Sequence, residues 1–268
     1  MDAREVFAGE GYWVERGLFS RDEIERVRER FGEINQERRG VVDDGVIAGD
    51  PLAEFPRVMM PHKFDALSRD WLLDKRLRQV FERLLGAAPV AVQTMFYFKP
   101  PGARGQALHQ DNFYLLAQPG TCVAAWMAVD DCDKENGCMR IVRGSQDLPT
   151  LCTVGADTAE SFTDVTVPVP QGMTVESIEM QAGDVLFFNG SVIHGSGPNR
   201  SADRFRRALI GHYVTSEATE VSRYYHPCLD FEGNEVSLGE AVGGGVCGEF
   251  VGGEVRMVGV DVSGRGNH

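Results

Sequence analysis

The sequence contains no uninterrupted apolar run near the ~18 residues that a membrane-spanning helix needs. It opens Met-Asp-Ala-Arg-Glu-Val-Phe, without the basic-then-apolar layout of a secretion signal. A soluble, intracellular protein of the cytoplasm is therefore expected. Positive charge is in deficit, with 27 Lys and Arg against 40 Asp and Glu, a formal net charge of −13 and a pI near 4.9. So acidic a chain offers no broad attraction to phosphate backbones or anionic lipid, and neither nucleic acid nor a membrane surface is expected as a partner. The six cysteines (Cys122, Cys132, Cys138, Cys152, Cys228, Cys247) include no Cys-x-x-Cys pair. With no secretion signal they read as reduced, small buried hydrophobes and not as a disulfide framework. Internal repeats and low-complexity segments are also missing, which leaves an ordinary 43% hydrophobic composition able to build one substantial core.

What is present divides into a helical beginning and a β-rich remainder. Residues 9–18 suggest a short strand, and Ser20 with Glu23 forms a capping-box pattern ahead of Ile24, Val27, Phe31 and Ile34 at helical spacing. Residues 39–61 read as loop, and a second helix is expected over residues 68–85, closed by Gly86. From there short strands dominate: residues 90–98, 122–129, 138–142, 165–169, 174–180, 184–188 and 206–214. The turn at 130–137, ending in Asn136-Gly137, signals a hairpin between its flanking strands. Residues 146–164 are irregular enough to cover a pocket, and the tail from Tyr224 reads as surface wrap and mobile end. Strands this short and close favour a sandwich, jelly roll or barrel over a doubly wound sheet.

The chemistry concentrates in Gln106-Ala-Leu-His109-Gln110-Asp111-Asn112. On a strand, residues i and i+2 share a face, so His109 and Asp111 are placed to grip one ion. A His-x-Asp pair alone is most simply a surface turn, but Leu108, Phe113, Tyr114, Leu115 and Leu116 bracket this one, and a buried unpaired Asp is costly. Far downstream, His194 ends the apolar run 184–193. Alone it reads as readily as a structural histidine; together, two His and one carboxylate make the facial set of non-haem ferrous oxygenases. A 2-oxo acid cosubstrate needs a cation for its far carboxylate, and Arg204, Arg206 and Arg207 are available after His194. Parity does not choose among them.

These motifs resemble those of the phytanoyl-CoA dioxygenase-like family of Fe(II)/2-oxoglutarate-dependent oxygenases. The resemblance runs from Gly11-Tyr-Trp-Val-Glu-Arg-Gly-Leu-Phe-Ser20 through Met95-Phe-Tyr-Phe-Lys-Pro-Pro-Gly102, Leu108-His-Gln-Asp111 and Trp126-Met-Ala-Val-Asp-Asp131. It continues through Asn136-Gly-Cys-Met139 and His194-Gly-Ser-Gly-Pro-Asn199 to Phe205-Arg206. It implies a single domain over residues 1–268, mainly β with flanking helices and folded as a double-stranded β-helix (jelly roll, cupin-like). The helical part covers about 1–86, the core about 88–216 and a C-terminal wrap about 217–268. It implies Fe(II) on His109, Asp111 and His194, with Arg206 anchoring 2-oxoglutarate, Ser196 supporting the same carboxylate, and Met95, Trp126 and Lys63 lining the cosubstrate pocket. O2 then splits the 2-oxo acid to succinate and CO2 while a substrate C–H is hydroxylated. Asp111 stands where related halogenases carry a small residue, so hydroxylation is favoured over halogenation.

Where the family commonly has Pro-Gly-Ser-His, this chain reads Arg143-Gly-Ser-Gln146. That change and the acidic balance point away from phytanoyl-CoA and toward a small metabolite or natural-product intermediate. Arg104, Asn112, Tyr114, Arg143 and Gln146 flank the motif or the facing turn and are the candidates for substrate contact. Rival outcomes are desaturation, cyclisation or epimerisation with the same cofactors, a cupin-like zinc or manganese hydrolase or isomerase, and a non-catalytic small-molecule binding module. Oligomeric state is not legible.

Overall fold

The computed structural model describes residues 2–40, 49–241, 245–251 and 254–260. Residues 41–48 of the expected loop, the tail glycines Gly243, Gly244, Gly252 and Gly253, and residues 261–268 lie outside them. Asp2 caps a helix that the sequence reading did not anticipate, α1 (Ala3–Glu10). The expected strand follows as β1 (Tyr12–Glu15). Ser20 caps α2 (Arg21–Glu37) through a complete capping box, its Oγ accepting from Glu23 N while the Glu23 carboxylate accepts from Ser20 N. Ile24, Val27, Phe31 and Ile34 are the buried stripe, and Phe31 stacks on Phe96 with ring centroids 3.8 Å apart.

After β2 (Val58–Met59), the single helix expected over 68–85 is divided into α3 (Ala66–Leu72) and α4 (Lys75–Leu85). The break is made at Asp74, whose carboxylate accepts from Arg76 N. A short acidic side chain competes for backbone N–H groups inside a helix and caps one instead. Gly86 closes α4 at φ 89°, as its position suggested.

The body is built from β3 (Val90–Tyr97), β4 (Gln106–His109), the one-turn α5 (Asn112–Leu115), β5 (Cys122–Ala128) and β6 (Met139–Val142). It continues with β7 (Val154–Gly155), β8 (Val165–Thr166), β9 (Val175–Ile178), β10 (Val185–Asn189), β11 (His194–Ser196) and β12 (Ala208–Val214). The larger sheet runs β1-β10-β5-β12-β3 and the smaller β4-β11-β6-β9. Facing antiparallel sheets of this kind are a double-stranded β-helix, or jelly roll. Alternation along β5 shows what each face does. Val123, Ala125 and Met127 pack with Phe31, Trp71 and Phe81 of the helices, whereas Ala124, Trp126 and Ala128 face Met139 and Ile141 of the smaller sheet.

The 130–137 turn does not close a β5–β6 hairpin. β5 lies between β10 and β12, while β6 lies between β11 and β9 in the other sheet. An Asn-Gly pair specifies a reversal, but β5 is buried along its whole length and needs a neighbour on each edge, so the chain crosses to the second sheet instead. Gly137 is required there: its φ is +81°, and a Cβ would stand 2.4 Å from Gly197 O. Buried Asn136 donates to Asp131 O and Phe205 O, tying the turn to the chain just before Arg206.

The described part of the tail carries more strand than its composition suggested. It supplies β13 (Glu220–Ser222), β14 (Cys228–Leu229), β15 (Glu235–Val236), β16 (Gly239–Ala241), β17 (Gly245–Val251) and β18 (Glu254–Val260). β14 and β15 extend the larger sheet beyond β3, and β17 pairs with β18. The expectation of six reduced cysteines fails for two of them, because Cys152 and Cys247 form a disulfide with Cα atoms 4.9 Å apart. Their sequence separation of 95 hides the pairing. Backbone hydrogen bonds create it: Cys152 N donates to Gly248 O and Gly248 N to Thr150 O, laying the two segments side by side. The other four are free and buried. Among the described residues no helix is long and apolar enough to cross a membrane.

His62 gives the fold a pH dependence. Its ring is buried with Nδ1 2.6 Å from Thr94 Oγ1, and burial, with repulsion from Lys63 and Arg69, pulls its pKa from 6.5 to about 4. Above pH 6.5 the ring is neutral both folded and unfolded; between 6.5 and about 4 only the unfolded chain binds the proton, so stability falls as pH falls through that window. The His62 share is at most about 3 kcal/mol. Urea midpoints measured across this range will fall for the wild type and fall less steeply for His62→Gln; equal slopes would contradict the assignment.

Candidate active site

His109 is the last residue of β4, and Asp111 lies beyond the strand at φ −62°, ψ −35°, against the start of α5. The pair therefore does not share a strand face as the spacing suggested. The helical turn brings the carboxylate round instead, with Asp111 Oδ1 3.5 Å from His109 Nε2. β11 pairs with β4 so that His194 sits opposite His109, and its Nε2 is also 3.5 Å from Asp111 Oδ1. One ligand atom from each residue falls within 4.8 Å of the others, and all three side chains are buried.

Surrounding groups fix how these side chains point. His109 Nδ1 is 2.9 Å from Ala107 O, and His194 Nδ1 is 2.9 Å from Val192 O. A carbonyl only accepts, so each Nδ1 carries the hydrogen and each Nε2 presents a lone pair to the cluster. Asp111 Oδ2 is held by His212 Nε2 at 3.0 Å. Gln110, between the two ligand positions, accepts from Leu151 N and donates to Pro149 O and Ser191 O, which pins the turn to the irregular 146–164 stretch. Burial pulls the His194 pKa to about 4, leaving the ring neutral at physiological pH. Burial alone would raise the Asp111 carboxyl, but His194 and His212, with hydrogen bonds from His109 and His212, hold it well below the usual range. Two imidazole nitrogens and one carboxylate oxygen, convergent and buried, suit a divalent transition metal.

On one side of this cluster lie Met95, Trp126, Met139, Phe188 and Ile210, around a cavity of about 30 Å³. That is room for about two waters, so a larger ligand enters by displacing side chains, and the two methionines are the pliable part of the wall. Arg206 is buried behind Trp126, its Cζ 5.2 Å from the ring centroid. Its Nε donates to Gly137 O at 3.1 Å and its Nη2 to Ser196 Oγ at 3.4 Å. Arg204 is paired with Asp133 and Glu135, and Arg207 with Asp130. Parity left three arginines open, and the fold directs only Arg206 inward beside Ser196 and Trp126.

Other expected contacts are not brought to this place. Lys63 is exposed and donates to His226 O. Arg104 is paired with Asp50 and bonded to Thr158 O and Ser161 O. Asn112 Oδ1 accepts from Ala117 N and Cys122 N, closing the loop after α5. Arg143 pairs with Glu10, and Gln146 donates to Ala8 O and Gly9 O, so the unusual Arg143-Gly-Ser-Gln146 segment fastens the end of α1 and does not shape the space at the triad. Tyr114 alone stays near, edge-on to His109 with centroids 6.3 Å apart, and burial beside Asp111 pushes its phenol up to about 12.

The structure also adds Gln110 and Lys99. His212 shares the strand parity of Arg206, which allows it to approach the site although a structural histidine is the simpler reading of the sequence, and the fold brings it onto Asp111. Removing its hydrogen bond with His212→Ala will lower metal affinity by roughly 10–100-fold, measured by competition with a chelating dye. Unchanged affinity would show that Asp111 is oriented without it.

Comparison with known proteins gives a consistent result. The model of the family described as "Phytanoyl-CoA dioxygenase (PhyH)" matches residues 7–208. A phytanoyl-CoA dioxygenase of Arabidopsis thaliana is 27% identical over 253 residues, covering 81% of this chain and 89% of that protein. Phytanoyl-CoA dioxygenase 1 of Oryza sativa subsp. japonica is 29% identical over 163 residues, covering 60% of this chain and 58% of that protein. Among solved structures, AviO1 from Streptomyces viridochromogenes superposes with a TM-score of 0.62 at 26% identity, covering 81% of this chain and 95% of that one. The epimerase SnoN of nogalamycin biosynthesis, in complex with Fe3+, alpha ketoglutarate and nogalamycin RO, superposes with a TM-score of 0.67 at 20% identity over 81% and 84% of the two chains, a likeness of fold.

Proposed function

The chain belongs to the phytanoyl-CoA dioxygenase family of non-haem Fe(II)/2-oxoglutarate-dependent oxygenases, and we propose that it hydroxylates an unactivated C–H bond of a small metabolite or natural-product intermediate. The observation that carries the reading is the buried His109-Asp111-His194 cluster with a buried, inward Arg206 beyond Trp126. His109, Asp111 and His194 would hold iron, and Arg206 with Ser196 would take the distal carboxylate of 2-oxoglutarate. Iron so held would supply the activation of O2, with the 2-oxo acid oxidatively decarboxylated to succinate and CO2.

The chain's own part is to prepare the place. Ala107 O and Val192 O keep both imidazoles in the tautomer that offers Nε2. His212 holds the second oxygen of Asp111, so that one oxygen faces the cluster centre. Phe188, Ile210 and Trp126 line with apolar surface the space where a substrate C–H must be brought close. An overall charge of −13 favours a small substrate over a bulky polyanion.

The test is a panel of small metabolites incubated with Fe(II), 2-oxoglutarate and 18O2. One member is expected to raise succinate release and to yield a product heavier by one labelled oxygen. Succinate release coupled to a product that has lost two hydrogens, or is isomeric with its substrate, would overturn hydroxylation.

A further inference from the structure

Behind Trp126 the structure buries two cations side by side. Lys99 and Arg206 are each 2% exposed. Their hydrogen-bond partners are neutral: Lys99 Nζ donates to Gly197 O at 2.6 Å, to Ser196 Oγ at 2.7 Å and to Gly137 O at 3.4 Å, and Arg206 donates to Gly137 O and Ser196 Oγ. Among the described residues no carboxylate is within ion-pair distance of either. Two desolvated positive charges solvated only by carbonyls and one hydroxyl are costly unless an anion joins them. Burial, and after it the repulsion of Arg206, pulls the Lys99 pKa well below its ordinary value, which is the same imbalance seen from the other side.

Ser196 is the junction. Three N–H donors converge on its Oγ, from Lys99 at 2.7 Å, Gln106 N at 3.3 Å and Arg206 Nη2 at 3.4 Å. A hydroxyl has two lone pairs and one proton. Two of the three donors suffice to fill those lone pairs, and with Lys99 in its ammonium form the proton must go to an acceptor outside that group. Once an anion beside Arg206 favours its ammonium form, Lys99 itself has no donor left, since all three hydrogens are committed.

We propose that Lys99 is a positioning residue for the cosubstrate: by donating to Ser196 Oγ it turns the Ser196 hydroxyl proton onto the distal carboxylate of the 2-oxo acid, and its charge stands behind Arg206 to retain that carboxylate. The inference rests on the reading of Arg206 as the 2-oxoglutarate anchor. It assigns to the lysine of Lys99-Pro-Pro-Gly102 a part in selecting a dicarboxylic over a monocarboxylic 2-oxo acid. Lys99 acts through Ser196 and does not itself touch the acid.

The test uses calorimetric titration of full-length protein loaded with Mn(II) as a redox-inert metal, comparing 2-oxoglutarate with pyruvate, which lacks the distal carboxylate. Wild type is expected to prefer 2-oxoglutarate strongly. Lys99→Met is expected to weaken 2-oxoglutarate by about 10–100-fold, as for loss of a charge-assisted hydrogen bond, and to leave pyruvate unchanged. Ser196→Ala, a smaller change that spares the buried amine, is expected to show the same selective loss, and the double variant to lose no more than the larger single loss. A Lys99→Met protein that retains the wild-type preference, or that weakens both acids equally, would overturn the inference and leave the anchor reading intact. Fully additive losses in the double variant would overturn the route through Ser196. A wild type without preference for 2-oxoglutarate would instead overturn the anchor reading on which the inference rests. Should Lys99→Met not fold, Ser196→Ala decides: unchanged 2-oxoglutarate affinity there removes the junction.

Discussion

Asp111→Ala will lose metal binding and, with it, all iron-dependent turnover. Asp111 contributes the one anionic oxygen of the cluster, 3.5 Å from both ligand nitrogens, and the other two ligands are imidazole nitrogens, which bring no negative charge. Two neutral nitrogens alone neither balance a dication nor define a face. The loss will exceed the roughly 10–100-fold that follows removal of an outer partner of a metal ligand. Melting curves with and without metal separate this from unfolding. At a metal concentration about 100 times its dissociation constant the wild type gains roughly 2.7 kcal/mol, whereas Asp111→Ala will melt at one temperature in both conditions. A variant that keeps metal-induced stabilisation and turnover would remove Asp111 from the ligand set.

Arg206→Ala will weaken 2-oxoglutarate far more than Arg204→Ala. Arg206 is buried, and truncating one member of a buried, hydrogen-bonded charge pair costs on the order of 2–5 kcal/mol, hence at least about 30-fold in affinity. Arg204 is a surface residue whose partners, Asp133 and Glu135, are themselves substantially exposed, and such pairs contribute about 0–1 kcal/mol. Its removal will change affinity less than about fivefold. A larger loss in Arg204→Ala would mean that the anchor had been assigned to the wrong arginine.

The parts of this molecule legible from sequence are those where a local rule and the global fold agree. Ser20 with Glu23 announces α2 because a capping box is satisfied within four residues, and the unbroken apolar run of β5 announces a buried strand. His109, Asp111 and His194 were legible as a set, but the reason offered for the first two was wrong: they converge through a turn into α5, not along one strand. What stayed hidden depends on partners distant in sequence. The crossing of the 130–137 turn is decided by β10 and β12, the Cys152–Cys247 bond by β17 lying along residues 150–152, and the direction of Arg206 by the turn carbonyl of Gly137. The substrate candidates Arg104, Arg143 and Gln146 rest only on flanking the motif or the facing turn, and each is spent on a structural contact. Lys99 gave no sequence signal because a lysine beside a Pro-Pro-Gly breaker reads as solvated loop, and only the fold shows it buried.

The central claim, that one buried site binds iron and 2-oxoglutarate together, is tested most directly by anaerobic titration of 2-oxoglutarate into Fe(II)-loaded protein followed in the visible spectrum. A weak charge-transfer band is predicted that needs both components, saturates with 2-oxoglutarate and is lost in Asp111→Ala and at equal cosubstrate in Arg206→Ala. Absence of the band in wild-type protein, or 2-oxoglutarate binding of equal strength with and without metal, would contradict it.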